Sequence, residues 1–79
     1  MKTIRLLDHE LSVADYSNFE LNLLLKEGRI TTTIKPATID GIKRVRLINP
    51  VIVFDEARAT ETQIESLVKH FQFQRKSPS

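Results

Sequence analysis

The segment from residue 30 to residue 50 constrains the fold more than any other part of the chain, because it has the pattern of a single β-hairpin. Residues 30–39 are mostly β-branched isoleucine and threonine, which favours a strand over a helix. Asp40-Gly41 is a residue pair preferred in two-residue type I′ turns. A second strand is expected from residue 42 to residue 48, where Val45 and Leu47 alternate with Arg44 and Arg46.

A two-residue turn also predicts the register of the hairpin. The expected facing pairs are Ile39 with Ile42, Lys35 with Arg46, Ile34 with Leu47, and Ile30 with Val51. This register gives an apolar face, which we expect to be the core face: Ile30, Thr32, Ile34, Pro36, Val45, Leu47 and Val51. The opposite face holds Thr31, Thr33, Lys35, Arg44 and Arg46. Pro36 lacks an N–H group, so its strand should be an edge strand or carry a bulge there.

The remaining residues predict one further strand and two helices. A first strand is expected at residues 2–8, and a first helix at residues 13–27 with Ser12 or Ser17 as its N-cap and Gly28 just after its end. Asn49-Pro50 is expected to end the second hairpin strand, leaving residues 51–54 as a short apolar extension. A second helix is expected at residues 59–71, where Thr60 and Gln63 fit a capping box.

Together these elements predict the α+β class, with a small antiparallel sheet and two helices on one face, in the order β-α-β-β-α. A chain of 79 residues is the size of one small domain. We expect residues 1–72 to form that domain and residues 73–79 to form a polar, disordered tail.

The composition narrows the classes of function and the expected location. The chain has no cysteine, which removes disulfides, thiolate chemistry and cysteine zinc sites. The N-terminal residues have no signal-peptide pattern, and the apolar runs are too short to span a bilayer. These features predict a cytoplasmic protein with no membrane partner. A net charge of +2 is mildly basic and does not by itself indicate nucleic-acid binding.

No residue pattern in the chain predicts catalysis. His9 and His70 are the only histidines and have no patterned carboxylate beside them, so we expect no metal site. The acidic pairs, such as Asp55-Glu56, are expected to be solvated loop residues rather than acid–base catalysts. Gly28 and Gly41 stand singly, and neither belongs to a nucleotide-binding loop. We therefore expect no catalytic residue and no cofactor, and the chain is not expected to be an enzyme on its own.

Two groups of residues are candidates for binding. Lys35, Arg44 and Arg46 place like charges together on the polar face of the hairpin, which predicts either an anion site or side chains that splay into water. Neither strand offers an aromatic ring for stacking on bases, so nucleic acid is not the favoured ligand. The second group, Tyr16, Leu21 and Leu25, widens the apolar surface of the first helix and predicts a protein partner or self-association.

One family resemblance follows from these elements, over residues 15–72. The series begins with the segment FELNLLLKEG, a strand and an Asp-Gly turn, and it continues with a strand containing Val45-Arg46-Leu47, then Asn49-Pro50 and a capped helix. This series resembles the small C-terminal domain of group II pyridoxal-phosphate-dependent amino-acid decarboxylases. The matching residues are Asn22, Gly28, Gly41, Arg46, Asn49 and Pro50. In that family a lysine preceded by a histidine holds the cofactor. This chain has no His-Lys pair, so the resemblance implies no catalytic or cofactor-binding residue.

Two functions are therefore expected from the sequence. The first is a non-catalytic interaction or structural module similar to that decarboxylase domain, which could be a fragment, a split subunit or a reuse of the fold, and which would associate with a protein partner or with itself. The alternative is a small basic binding protein that contacts nucleic acid or an acidic protein surface through the hairpin.

Overall fold

The computed structural model describes residues 1–76 and has the α+β architecture expected from the sequence. Its elements, in chain order, are β1 (Lys2–Arg5), β2 (His9–Ser12), α1 (Val13–Leu25), β3 (Gly28–Ile39), β4 (Ile42–Phe54) and α2 (Glu61–His70). The four strands form one antiparallel sheet.

The sheet is built around β4, the longest strand. The strand β3 pairs along one edge of β4 from the turn to Phe54. Along the other edge, β2 pairs with residues 44–47 and β1 pairs with residues 51–54. The strand predicted at residues 2–8 is observed as the shorter β1, and β2, which was not predicted, follows it end to end along the same edge of β4.

The hairpin turn has the predicted conformation and register near Asp40-Gly41. Both residues have positive φ angles, 53° at Asp40 and 77° at Gly41, as a type I′ turn requires. The pairings of Ile39 with Ile42, Lys35 with Arg46, and Ile34 with Leu47 are confirmed. A tight turn sets these pairs through local geometry, so the sequence alone is sufficient to predict them.

The prediction that Asn49-Pro50 ends the strand is wrong, because β4 continues through both residues with a bulge. Thr31 faces Val51 and Thr33 faces Ile48, so β4 has one residue more than β3 between these pairs. Asn49 has a left-handed backbone with a φ of 50°, and its N–H donates to Asp8 Oδ1 over 2.9 Å.

The bulge changes which side chains of β4 face the core. Ile30 pairs with Ile52, not with Val51 as predicted. The buried residues of β4 are Leu47, Pro50, Ile52 and Phe54, while Val51 is only half-buried and lies on the opposite face. Two other expected core residues are also uncovered, since Ile34 and Pro36 are exposed where the hairpin extends towards its turn.

Both helices begin at predicted caps. The Ser12 hydroxyl accepts a hydrogen bond from the Asp15 N–H at 3.1 Å, and Thr60 forms the expected capping box with Gln63. The helix α1 ends at Leu25, two residues before its predicted end, and Glu27 rather than Gly28 takes a left-handed backbone conformation after it. Gly28 is instead the buried first residue of β3.

One hydrophobic core lies between the sheet and the two helices. Its buried side chains come from both helices, from three strands and from the segments that flank them: Ile4, Leu6, Leu11, Phe19, Leu23, Leu47, Ile52, Phe54, Ala59, Ile64, Leu67, Val68 and Phe73. The shortest extent of the molecule is 19 Å, which fits one sheet and one layer of helices. Both helices therefore cover the same face of the sheet.

Residues beyond the expected domain boundary at residue 72 pack against the rest of the fold. Phe73 is 5% exposed and belongs to the core. The Leu7 N–H donates to the Gln74 carbonyl and the Lys76 N–H donates to the Arg5 carbonyl, so residues 74–76 lie alongside the segment after β1. The rest of the expected disordered tail, residues 77–79, lies outside the described residues.

Candidate functional site

The face of the sheet opposite the helices is the main candidate site, and we call it the open face. Side chains alternate between the two faces of a strand, so the register determines which residues belong to it. The open face consists of Thr3, Arg5, Glu10, Ser12, Arg29, Thr31, Thr33, Lys35, Ala37, Ile39, Ile42, Arg44, Arg46, Ile48, Val51 and Val53. None of these residues belongs to the core cluster.

Positive charge is concentrated on the open face. It carries five of the twelve lysines and arginines of the chain but only one of the ten carboxylates, Glu10. The chain as a whole has a formal charge of only +2, so the remaining surface is net acidic. A face with this imbalance attracts anionic groups and repels cationic ones.

The like-charge opposition predicted at Lys35 and Arg46 lies in the middle of this face. The two residues face each other across β3 and β4, and Glu10 faces Arg46 from the other side on β2. Glu10 forms its ion pair with Arg44, whose Nε lies 3.5 Å from Glu10 Oε1. One carboxylate therefore stands among three cations, and both Lys35 and Arg46 are exposed to solvent.

An apolar strip runs beside these cations. Ile48, Val51 and Val53 of β4 project onto the open face and are half-buried. The five aromatic residues, Tyr16, Phe19, Phe54, Phe71 and Phe73, all belong to or pack against the core on the other side. The open face thus combines aliphatic and cationic side chains and has no ring on which a base could stack.

The end of the open face near Arg29 is less strongly cationic. A depression of about 530 Å³ there is lined by Met1, Glu27, Arg29, Thr31, Val53, Asp55 and Arg58. Glu27 pairs with Arg58 at 3.5 Å. Glu27 and Asp55 offset the positive charge at this end. The positive charge of the open face is therefore strongest nearer to the turn, around Lys35, Arg44 and Arg46.

The predicted apolar group on α1 is divided by the structure. Tyr16 is half-buried and packs against the core, whereas Leu21 and Leu25 lie on the outer side of the helix with 59% and 75% of their surfaces exposed. Leu24, which is 54% exposed, joins them. The outer leucines of α1 are thus Leu21, Leu24 and Leu25, and Tyr16 is not one of them.

A cleft of about 340 Å³ lies between the end of α2 and β2. Its lining includes both histidines and charged residues: His9, Glu10, Leu11, Asp15, Arg44, His70, Phe71 and Gln72. The His9 ring stacks on Phe73, with ring centroids 4.9 Å apart. Burial of the imidazole, reinforced by the Arg44 cation and opposed by Glu10, lowers the pKa of His9.

The structure adds Arg5, Arg29 and Glu10 to the site predicted from the sequence. Arg29 could have been assigned to the open face by its alternation with Ile30, and Arg5 by its position between Ile4 and Leu6. Glu10 could not, because its place beside Arg46 depends on the break between β1 and β2.

Comparisons with protein-family models, with curated proteins and with solved structures found no match. The resemblance to a decarboxylase C-terminal domain therefore stays a prediction. Among residues 1–76, no helix has the length and apolar character needed to cross a membrane. Over the same residues, no three histidine, aspartate or glutamate side chains are grouped in a way that could hold a metal ion.

Proposed function

We propose that this chain is a non-catalytic interaction module that binds an acidic protein surface through the open face of its sheet. The observation that carries the proposal is the charge imbalance of that face, which holds five cationic side chains and a single carboxylate. Such a patch raises the local concentration of an acidic partner and speeds its association.

The composition of the open face favours a protein over a nucleic acid as the partner. Ile48, Val51 and Val53 provide an apolar centre, and the arginines and Lys35 form a charged surround. Protein interfaces have this arrangement of an apolar core and a polar rim. A phosphate backbone would leave the apolar strip without a partner, and unpaired bases would find no aromatic ring.

The test is the binding of a fluorescein-labelled ten-residue oligoglutamate peptide, followed by fluorescence anisotropy at low and at physiological salt. We expect binding that weakens with salt, because exposed charges are screened over about 8–10 Å. Arg46→Glu should weaken binding about tenfold or more. The control is Lys43→Glu, which makes the same change of charge on the same strand. The Lys43 side chain lies on the opposite face of the sheet from Arg46.

The outcomes separate the candidates. Equal loss of binding in both variants would mean that net charge alone drives association, and no binding at low salt would refute the proposal. Labelled single-stranded and duplex oligonucleotides are measured in parallel. If they bind more tightly than oligoglutamate and with a steep salt dependence, the alternative function of nucleic-acid binding is supported instead.

The outer leucines of α1 support a second, separate contact. Leu21, Leu24 and Leu25 are all more than half exposed, and together they offer an apolar stripe for self-association or for a protein partner. The resemblance to the decarboxylase domain would make that partner a larger catalytic domain. Sedimentation of the wild type and of Leu25→Asp tests the contact, since a monomer in both cases argues against self-association.

A further inference from the structure

The outer edge of β3 is unpaired along its whole length in the part of the chain that the structure describes. β3 has twelve residues, and its only strand partner there is β4. An edge strand of this length presents a row of N–H and C=O groups that can pair with another extended chain. The edge borders the open face, so a chain that paired with it would also meet the cations of that face.

The register shows which backbone groups point outwards. The type I′ turn joins the Ile39 carbonyl to the Ile42 N–H, so residue 39 points its backbone groups towards β4. Inward and outward residues alternate from there, and the extra residue of the bulge lies in β4 rather than β3. The even-numbered residues, including Ile30, Thr32 and Ile34, therefore direct their backbone groups to the free edge.

The two halves of this edge differ. Pro36 also occupies an outward position, and because proline has no N–H it interrupts the row of donors on the side of the turn. From residue 28 to residue 34 there is no such interruption. This first half of the edge is therefore the part that can accept a strand.

The two faces beside this half of the edge have different chemistry. On the open face stand Arg29 and Lys35, with Thr31 and Thr33 between them. On the helix side, Ile34 is 44% exposed, and a notch of about 190 Å³ between α1 and β3 is lined by Leu23, Leu24, Gly28 and Ile30 together with Glu20 and Arg29. An added strand would meet cations on one face and apolar side chains on the other.

We propose that the free edge of β3 binds an extended peptide segment in which acidic and apolar residues alternate. The segment adds to the sheet beside residues 29–35, its carboxylates lie on the open face, and its apolar side chains cover Ile34 and the notch next to α1. Backbone hydrogen bonds then provide affinity, and the alternation provides specificity. This inference rests on the proposed function, because it identifies the kind of acidic partner that the open face binds.

The probe is a labelled seven-residue peptide with blocked ends in which glutamate and valine alternate, beginning and ending with glutamate. Its length matches residues 29–35, with glutamates opposite Arg29 and Lys35. We expect it to bind at least about tenfold more tightly than a peptide of the same composition with four glutamates followed by three valines. Equal affinity for the two peptides would overturn the inference.

N-methylation of the probe tests the backbone contact directly. One peptide is methylated on the backbone nitrogens of its three valines, and another on the backbone nitrogens of every glutamate except the first. Each competes with the labelled probe in an anisotropy assay. In a peptide strand beside β3, the backbone N–H groups of only one of these two sets point towards β3. One peptide should therefore lose at least about tenfold in affinity while the other competes normally. Loss on the valine set indicates an antiparallel strand, and loss on the glutamate set a parallel one. Equal competition by both contradicts strand addition.

A protein variant provides a second test. Ile34→Pro removes one outward N–H without removing a donor to β4, and Ile34→Val is the matched control that keeps the N–H. We expect the alternating peptide to bind about tenfold more weakly to Ile34→Pro than to Ile34→Val. If Ile34→Pro does not fold, the methylated peptides decide alone. If oligoglutamate still binds in an Arg46-dependent way but neither test shows an effect, strand addition fails and the proposed function stands.

Discussion

Asn49 combines a left-handed backbone with a hydrogen bond from its N–H to Asp8 Oδ1, and both follow from its position in the bulge of β4. The bulge keeps the core face continuous on both sides of it, from Leu47 to Ile52. From the sequence, Asn49-Pro50 has the pattern of a strand end. The strand continues because β1 and β3 supply partners on both sides, and these contacts are invisible in the local sequence.

Substitutions at Asn49 should follow the backbone preference of the left-handed region. Asn49→Ala is expected to lower the free energy of unfolding by about 1–2 kcal/mol. The left-handed region is disfavoured for residues with a Cβ, and alanine lacks the short polar side chain that lets asparagine adopt it through local hydrogen bonds. Asn49→Gly should cost less than Asn49→Ala. Urea denaturation of both variants measures the difference, and equal stabilities would contradict the left-handed conformation.

His9 should make the stability of the protein depend on pH. Because its pKa is lowered in the folded state, the unfolded chain binds the proton more readily. The contribution of His9 to the free energy of unfolding is therefore complete above the unfolded pKa of 6.5, and it decreases as the pH falls below that value. Arg44 reinforces this effect, Glu10 opposes it, and Asp15 and His70 line the same cleft.

The measurement is urea denaturation at pH 7.5 and pH 5.5, above the range in which carboxylates titrate. His9→Gln should reduce the loss of stability between the two pH values. Gln74→Ala, which removes no titratable group, should leave that loss in place. The same loss in wild type and His9→Gln would show that His9 is not responsible.

Among the elements, the hairpin and the helices were the most predictable because local chemistry determines them. The Asp40-Gly41 turn sets the register near it, and Ser12 and Thr60 cap the two helices as expected. The break between β1 and β2 was not predictable. It lies opposite the bulge, where the Leu6 N–H donates to the Pro50 carbonyl at 2.8 Å, so it depends on a contact between distant parts of the chain.

The junction between α1 and β3 depends on the small size of Gly28. A Cβ at this position would lie 2.8 Å from Leu23 Cδ1, and Leu23 is buried in the core. Gly28→Ala should therefore lower the free energy of unfolding by about 1–3 kcal/mol through overpacking. Thermal or urea denaturation tests this, and a variant as stable as the wild type would show that Leu23 moves aside at little cost.

On the scale of the whole molecule, the two faces of the sheet have separate roles. The helix side holds the core, and the open face holds all of the excess positive charge. The sequence predicted that Lys35, Arg44 and Arg46 share a face because they belong to one hairpin. It could not place Glu10 with them, since Glu10 lies on β2, whose position beside β4 depends on long-range pairing.

The C-terminal residues up to Lys76 complete the fold. Phe73 packs against Phe19, with ring centroids 4.5 Å apart, and Arg75 forms ion pairs with Glu61 and Glu65 on α2. Phe73→Ala should lower the free energy of unfolding by about 3–5 kcal/mol, as expected for loss of a buried phenylalanine.

The control for Phe73→Ala is Gln74→Ala, because Gln74 is exposed and contributes its backbone carbonyl to Leu7. Its stability in urea should be close to that of the wild type. If Phe73→Ala were equally stable, residues 73–76 would not belong to the folded domain, and the expected boundary after residue 72 would be correct.

The most direct test of the central claim is an NMR titration of the isotopically labelled protein with the oligoglutamate peptide, following every assigned backbone amide. We expect the largest shift changes at residues 29–35 and 44–48, on the strands that carry Lys35, Arg44 and Arg46. The amides of α1 and α2 should change little. Shifts concentrated at Leu21, Leu24 and Leu25 or in the cleft around His9 would contradict binding through the open face.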